Sequence, residues 1–210
     1  MAKNYDEIYQ NPEVYGSKPN PLLQEMLPKL GLLWQSKVLD LGCGQGRDFK
    51  YLQDWHFEVQ GIDQSQVAIN QIRSQAFERF LKLGQQYALL NDDLICSPIE
   101  NIDWFADPLK TNKYYDLINF ENTSHFLKIA DFWKTMKGVA FTSKALVMQA
   151  MRNQEDLVFR DGKIAIEEVR NYFKDWQILK DELVTKEDQP HPGNEKVHIH
   201  ECWQFCSRGK

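Results

Sequence analysis

The 210-residue sequence has no basic surplus: 30 acidic residues face 25 basic ones, a formal charge of -5. Binding along folded RNA or DNA calls for a basic patch or stripe, so nucleic acid is not an expected partner. No apolar run approaches the roughly 20 residues of a membrane span. No apolar h-region follows Met1-Ala2-Lys3-Asn4, so neither a membrane partner nor a secretory signal is expected. Cysteine is scarce, and Cys43, Cys96, Cys202 and Cys206 contain no CxxC pair. Cys202 and Cys206 on one strand would stand roughly 13 Å apart, too far for a disulfide. Four reduced thiols imply a cytoplasmic protein. Repeats, low-complexity tracts and Gly/Ser/Pro-rich linkers are also missing, so residues 1–210 read as a single domain. With 42 % apolar and 26 % charged residues, the composition is that of an ordinary globular chain.

The hydrophobic pattern alternates between short apolar runs and longer amphipathic stretches. After turn punctuation at Asn11-Pro12, Lys18-Pro19 and Asn20-Pro21, a helix is expected from Pro21 to near Gly31. Strands are expected at Lys37–Leu41, Phe57–Ile62, Tyr87–Leu90, Tyr115–Phe120 and Ala145–Gln149. Helices are expected at Gln45–Trp55, from a Ser65 cap to about Leu83, at about Ala130–Lys137 and at Lys163–Phe173. Asp175–Val184 and Lys196–Phe205 read as two long strands with no helix between them. This order predicts an α/β sandwich with a mostly parallel sheet, closed by one antiparallel strand.

One segment stands out. In Val38-Leu39-Asp40-Leu41-Gly42-Cys43-Gly44-Gln45-Gly46 a strand runs into three alternating glycines and then a helix. Glycine permits the tight turn and the close approach of a ligand to the backbone. The following helix N-terminus offers free N–H groups, and ligands bind beyond the carboxyl ends of strands in such sheets. The dinucleotide fingerprint GxGxxG is broken, because Arg47 occupies its sixth position. Asp40 precedes the first glycine by two residues. A carboxylate there repels a pyrophosphate and attracts an ammonium.

The D-x-G-x-G-x-G pattern resembles motif I of the class I S-adenosylmethionine methyltransferases. Three further landmarks follow in order. Asp63, followed by Gln64, ends the second strand, where the family holds both ribose hydroxyls; a carboxylate has two acceptor oxygens suited to a cis-diol. Asp92 and Asp93-Leu94 stand after the third expected strand, where the family accepts a hydrogen bond from adenine. Asn119-Phe120-Glu121-Asn122 follows the fourth, beside the family's methyl group and acceptor. The resemblance implies a Rossmann-like doubly wound sandwich, a seven-stranded sheet of order 3-2-1-4-5-7-6 with strand 7 antiparallel. It implies residues 1–33 as a segment covering cofactor and substrate, and 34–210 as the core. It also implies S-adenosylmethionine as cofactor and S-adenosylhomocysteine as product. The expected cofactor residues are Asp40, Gly42, Cys43, Gly44, Gly46, Asp63, Gln64, Asp92, Asp93, Leu94 and Asn119. Many members carry a Gly-Gly turn before strand 5; here the run is Lys137-Gly138-Val139-Ala140-Phe141.

Absences narrow the subclass. After strand 4 there is no Asp/Asn-Pro-Pro-aromatic motif, and no Pro-Cys nucleophile or recognition domain is present. A small-molecule acceptor is therefore expected. The segment Tyr15-Gly16-Ser17-Lys18-Pro19-Asn20 and the histidines near the end are diffusely similar to the tellurite-resistance and thiopurine methyltransferase groups. That similarity points to a soft nucleophile, a thiol or a selenium or tellurium species, with another metabolite or a small peptide as an equal alternative. Tyr15, Glu121 and His125 are the candidate substrate residues, and His125 the candidate general base. His198, His200 and Cys202 share one face of a strand and read as sheet surface, with no metal site. Arg47, Arg152 and Arg160 read as solvated groups. Two other readings compete: a catalytically silent cofactor-binding sensor or interaction protein, and a nucleotide-dependent oxidoreductase.

Overall fold

The computed structural model describes residues 4–11, 14–83, 93–104, 115–188 and 196–209. Among these residues the strands are β1 (Lys37–Leu41), β2 (Glu58–Asp63), β3 (Leu94–Cys96), β4 (Leu117–Glu121), β5 (Ala145–Asn153), β6 (Asp156–Phe159), β7 (Gly162–Ala165), β8 (Gln177–Asp188) and β9 (His198–Arg208). The α-helices are α1 (Tyr5–Ile8), α2 (Pro21–Met26), α3 (Arg47–Asp54), α4 (Gln66–Leu83), α5 (Ile129–Thr142) and α6 (Ile166–Tyr172). β3, β2, β1, β4 and β5 run parallel as neighbours. β9 then pairs antiparallel with β5, and β8 with β9. The path β3-β2-β1-β4-β5-β9-β8 is the expected sheet order, and β9 is its antiparallel strand.

Strand alternation divides the core into two layers. Leu39, Leu41, Ile118, Phe120, Leu146, Met148, Trp203 and Phe205 face a cluster completed by Phe132, Met136 and Val139 of α5 and Val169 of α6. Val38, Leu117, Val147 and Cys206 face the other cluster, with Leu22, Leu23 and Met26 of α2, Phe49 and Leu52 of α3, and Ile69 and Ile72 of α4. Asp40 and Asn119 project on the second side, between Val38 and Leu117 below and the glycine loop above.

The structure corrects three expectations. The stretch Lys163–Phe173 is not one helix: Gly162–Ala165 is β7, which pairs with β6 in a hairpin extending from Arg152 of β5. Ile166 and Val169 carry the helical spacing, whereas Ile164 and Ile166 are two apart, the period of a strand. Second, α5 continues to Thr142 with no glycine turn. Gly138 lies inside it because Trp104 packs where a Cβ would stand. Thr142 and Ser143 donate to the Gly138 and Val139 carbonyls and close the helix end.

The third correction concerns β3. The expected strand Tyr87–Leu90 and Asp92 lie outside the described residues. The described strand begins at Leu94, so Asp93 precedes it instead of following it. The Asp93 carbonyl accepts from Gly61 N (2.7 Å), and Leu94 is a buried core residue. Ser97 stands at the carboxyl end of β3, its N–H bonded to the Asp63 carbonyl (2.9 Å). The expected adenine partners Asp93 and Leu94 are therefore at the wrong end of this strand. Asp93 marks the entrance to β3, not its exit.

Candidate functional site

The carboxyl ends of β1, β2 and β4 converge on the loop Gly42-Cys43-Gly44-Gln45-Gly46, whose glycines have φ of +73°, +50° and +81°. A side chain at Gly42 would collide with Thr123, and one at Gly44 would meet the Tyr9 hydroxyl at 3.0 Å. The loop is tied to β2 through its backbone: Gly42 N and Cys43 N both donate to the Ile62 carbonyl. Cys43 is buried, its sulfur toward Gly61. Burial, then the nearby Asp40, pushes its thiol well up, which leaves it a packing group rather than a nucleophile.

Asp63 ends β2 and braces two elements at once. One carboxyl oxygen accepts from Gly44 N (2.9 Å) and the other from Ser65 N (2.8 Å). Ser65 in turn caps α4 by accepting from Ala68 N. Burial raises the Asp63 carboxyl from its ordinary range, and these backbone bonds oppose the rise. Each oxygen keeps a lone pair for a further donor. The Gln64 carbonyl accepts from the Cys96 thiol.

Asp40 lies opposite Asn119 in the β1–β4 ladder, and Asn119 Nδ2 donates to its Oδ1 (2.9 Å). Its Oδ2 is buried without a donor among the described residues, as are Asn119 Oδ1 and both oxygens of Glu121. Arg47, expected in solvent, is instead turned inward, its side chain 22 % exposed, and grips Asp48 (2.8 and 3.2 Å). Asp48 also accepts from Asn20 N (2.7 Å), which fixes the entrance to α2. One guanidinium thus stands among three carboxyls. Burial, then the charge of Asp48, pushes Asp40 up to about 7. The same two causes, burial first, push Glu121 well above the carboxylate range, with Arg47 and Asn20 pulling the other way.

These raised carboxyls set a pH dependence. An acid whose folded pKa lies above its unfolded value of about 4 favours folding below that value and loses the benefit as pH climbs to the folded pKa. The ligand-free chain should therefore melt at a lower temperature at pH 7.5 than at pH 5.5. A flat or rising melting temperature across that range would show Asp40 to be ionised and stably paired.

The N-terminal segment lies over the loop. Asp6 accepts from Ser65 Oγ and Val67 N, and the Tyr9 carbonyl accepts from Gln71 Nε2 (2.6 Å). Gln45 reaches Asn11 O and Val14 N. Tyr9 is buried, edge-on to Tyr15 at 6.2 Å. Tyr15 is half exposed, and its carbonyl lies 3.5 Å from Arg47 Nη1. His125 sits in the 3-10 turn Ser124–Phe126 after β4, its ring tilted against Phe126, which contacts Tyr5 edge-on. His198 and His200 pair through Nε2 (2.8 Å) on β9. No group of three metal-ligating side chains occurs among the described residues, and no described helix is long and apolar enough to cross a membrane.

Asp40, the three glycines, Asp63 and Asn119 are thus brought to one place, with Glu121 beside them. Sequence reasoning missed Asp6, Tyr9, Ser65 as a partner of Asp6, and the inward Arg47–Asp48 pair. The available signal was the Tyr5/Tyr9 spacing of four and the charge pair opening the helix directly behind the last glycine.

A family model described as tellurite resistance protein TehB matches residues 18–191. Thiopurine S-methyltransferase of Pseudomonas fluorescens is 46 % identical over 50 residues, covering 24 % of this chain and 22 % of that enzyme. The crystal structure of TehB from Haemophilus influenzae superposes with a TM-score of 0.68 at 19 % identity, covering 89 % of this chain and 62 % of that one. The chain thus spans less than two thirds of either protein. The N-methyltransferase NodS from Bradyrhizobium japonicum WM9, in complex with S-adenosylhomocysteine, superposes with a TM-score of 0.62 at 16 % identity, covering 98 % of this chain and 96 % of that one. With its family match over most of its length, the chain belongs to the TehB tellurite-resistance family and has the class I S-adenosylmethionine methyltransferase fold.

Proposed function

We propose that the chain transfers the methyl group of S-adenosylmethionine to a small-molecule acceptor, a soft nucleophile such as a thiolate or a reduced selenium or tellurium species. The observation that carries the methyl-transfer reading is the meeting of the left-handed glycine loop, the Asp63 carboxyl and the donor-seeking Asp40 Oδ2 at adjoining strand ends. These groups suit the cofactor. Asp63 has lone pairs left for a ribose diol, Gly44 lets the Tyr9 hydroxyl close on the loop backbone at the rim of the cleft, and Asp40 offers an acceptor to an ammonium. Asn119 holds Asp40 in place. The bound cofactor supplies an electrophilic methyl on a sulfonium. The protein's own part is to align the acceptor and exclude water, and alignment can supply roughly 7–11 kcal/mol of a barrier. Tyr15 and His125 are the residues we assign to the acceptor side, and Glu121, expected with them, to the boundary between acceptor and cofactor beside Asp40.

The family description and the thiopurine S-methyltransferase match support a soft acceptor. A cytoplasmic location, where thiols stay reduced, completes the reading. The test is calorimetry with S-adenosylhomocysteine and NAD, followed by a radiolabel transfer screen over thiols, selenium species, phenols, amines and RNA. One-site binding of S-adenosylhomocysteine is expected, with no binding of NAD. Turnover should rise with pH as the substrate thiol ionises, near 8.5 for an unperturbed one. His125→Ala should cost less than the 10²–10⁴ of a lost general base. Tight NAD binding would reject the cofactor, and turnover on RNA the acceptor class.

A further inference from the structure

Four buried acceptors cluster at the ends of β1 and β4, Asp40 Oδ2, Asn119 Oδ1, Glu121 Oε1 and Glu121 Oε2, with the neutral Asn20 amide the one uncharged donor among the described residues that bears on Glu121. Asp40 pairs with Asn119 across the parallel ladder, so Glu121, two residues on, projects from the same face. Two residues of rise and one strand spacing put the two acids roughly 8 Å apart at Cα, within reach of two carboxyl side chains. Glu121 is 7 % exposed and Asp40 3 %, so water does little for either. The other charged groups facing them are Arg47 and Asp48 from α3, and Asp63 from β2, which bears on Asp40; the buried Cys43 thiol adjoins. Arg47 is engaged with Asp48, which leaves Asp40 and Glu121 with no cation of their own among the described residues.

Two buried carboxyls in one another's field do not both ionise at neutral pH. A ligand that satisfies all these acceptors must bring several N–H donors and a positive charge, which is the chemistry of a primary ammonium group. We propose that Glu121, with Asp40, holds a proton in the ligand-free cleft and gives it up to solvent when the ammonium end of an amino-acid-bearing ligand docks against the pair. The inference rests on the methyl-transfer reading, which makes the amino-acid end of the cofactor the source of that ammonium. Only a proton moves: the ammonium keeps its three, and the carboxyl's passes to buffer. The charge of Asp40 adds to the burial that raises the Glu121 carboxyl.

The full chain is titrated calorimetrically with S-adenosylhomocysteine at pH 7 in phosphate and in Tris, whose ionisation enthalpies differ. The expected result is a heat that depends on buffer and reports release of about one proton. Affinity should rise by up to tenfold per pH unit between about pH 5.5 and 7. Methylthioadenosine, which lacks the amino-acid end, should bind with a buffer-independent heat. Glu121→Gln should release less than half a proton; its folding is checked by thermal melting, and the wild-type buffer comparison stands without it. Buffer-independent heat with S-adenosylhomocysteine overturns the inference while leaving the cofactor reading intact. So does full release from Glu121→Gln, which places the proton on Asp40 alone. Failure of the wild type to bind S-adenosylhomocysteine overturns both.

Discussion

Asp63→Ala is expected to weaken S-adenosylhomocysteine binding about 10- to 1,000-fold. A hydrogen bond to a charged group is worth about 1.5–3 kcal/mol net, and each 1.4 kcal/mol is a factor of ten in affinity. One or two such bonds to a ribose diol give the range. The upper end is favoured because Asp63 also holds Gly44 N and Ser65 N. Without it the glycine loop and the start of α4 each lose a buried acceptor. Asp63→Asn separates the two roles: it keeps one oxygen for a backbone N–H but turns an amide donor toward the other. If binding depends on the ribose, both variants lose affinity while Asp63→Asn retains more of the wild-type melting temperature. An unchanged dissociation constant in Asp63→Ala would remove Asp63 from the cofactor site.

The largest loss of stability is expected from Trp203→Ala. Trp203 is fully buried in β9, its ring 4.8 Å from Phe205, and truncating such a residue costs about 3–5 kcal/mol. Its indole N–H also donates to Asp181 on β8 (2.8 Å), which is held otherwise by Arg170 of α6. In a domain of this size each kcal/mol lowers the melting temperature by about 2–4 °C, so the variant should melt roughly 6–20 °C lower. Denaturant unfolding measures the loss directly. A change under about 1 kcal/mol would mean that this end of the sheet is loosely packed.

The parallel half of the fold was legible because each landmark had two independent cues. β1 is an apolar run that ends at glycines, and β2 ends at an acid seventeen residues after Gly46. Hydrophobic period and loop chemistry agreed there, and Asp40, the glycines, Asp63 and Asn119 came together as read. The strand Leu94–Cys96 was not foreseen because three residues are too short for a periodicity signal, and the polar residues in front of it resembled a strand exit. The β6–β7 hairpin was hidden because Ile164, Ile166 and Val169 can be threaded onto one helical stripe. Arg47 was misread for another reason. Position after a glycine loop says nothing about which way a long side chain turns; the inward direction is set by Asp48 beside it and the carboxyls of β1 and β4, which meet only in the folded sheet. The resemblance implied a covering segment at residues 1–33, but its anchors were equally invisible, since Asp6 finds Ser65 and Tyr9 finds Gln71 across about 60 residues of chain.

The placement of β9 between β5 and β8 has a consequence for the order of events during synthesis. β8 leaves the ribosome before β9, yet its ladder partner in the sheet is β9. Until β9 arrives, β5 presents a bare edge and β8 has nothing to pair with, so Ile178 and Leu183 emerge on an unsupported strand. The nascent chain can assemble the glycine loop and its carboxyls from β1, β2 and β4 while the β5 edge is still open. A stalled chain ending before Lys196 should therefore present an apolar strand edge that chaperones recognise, with the glycine loop already formed.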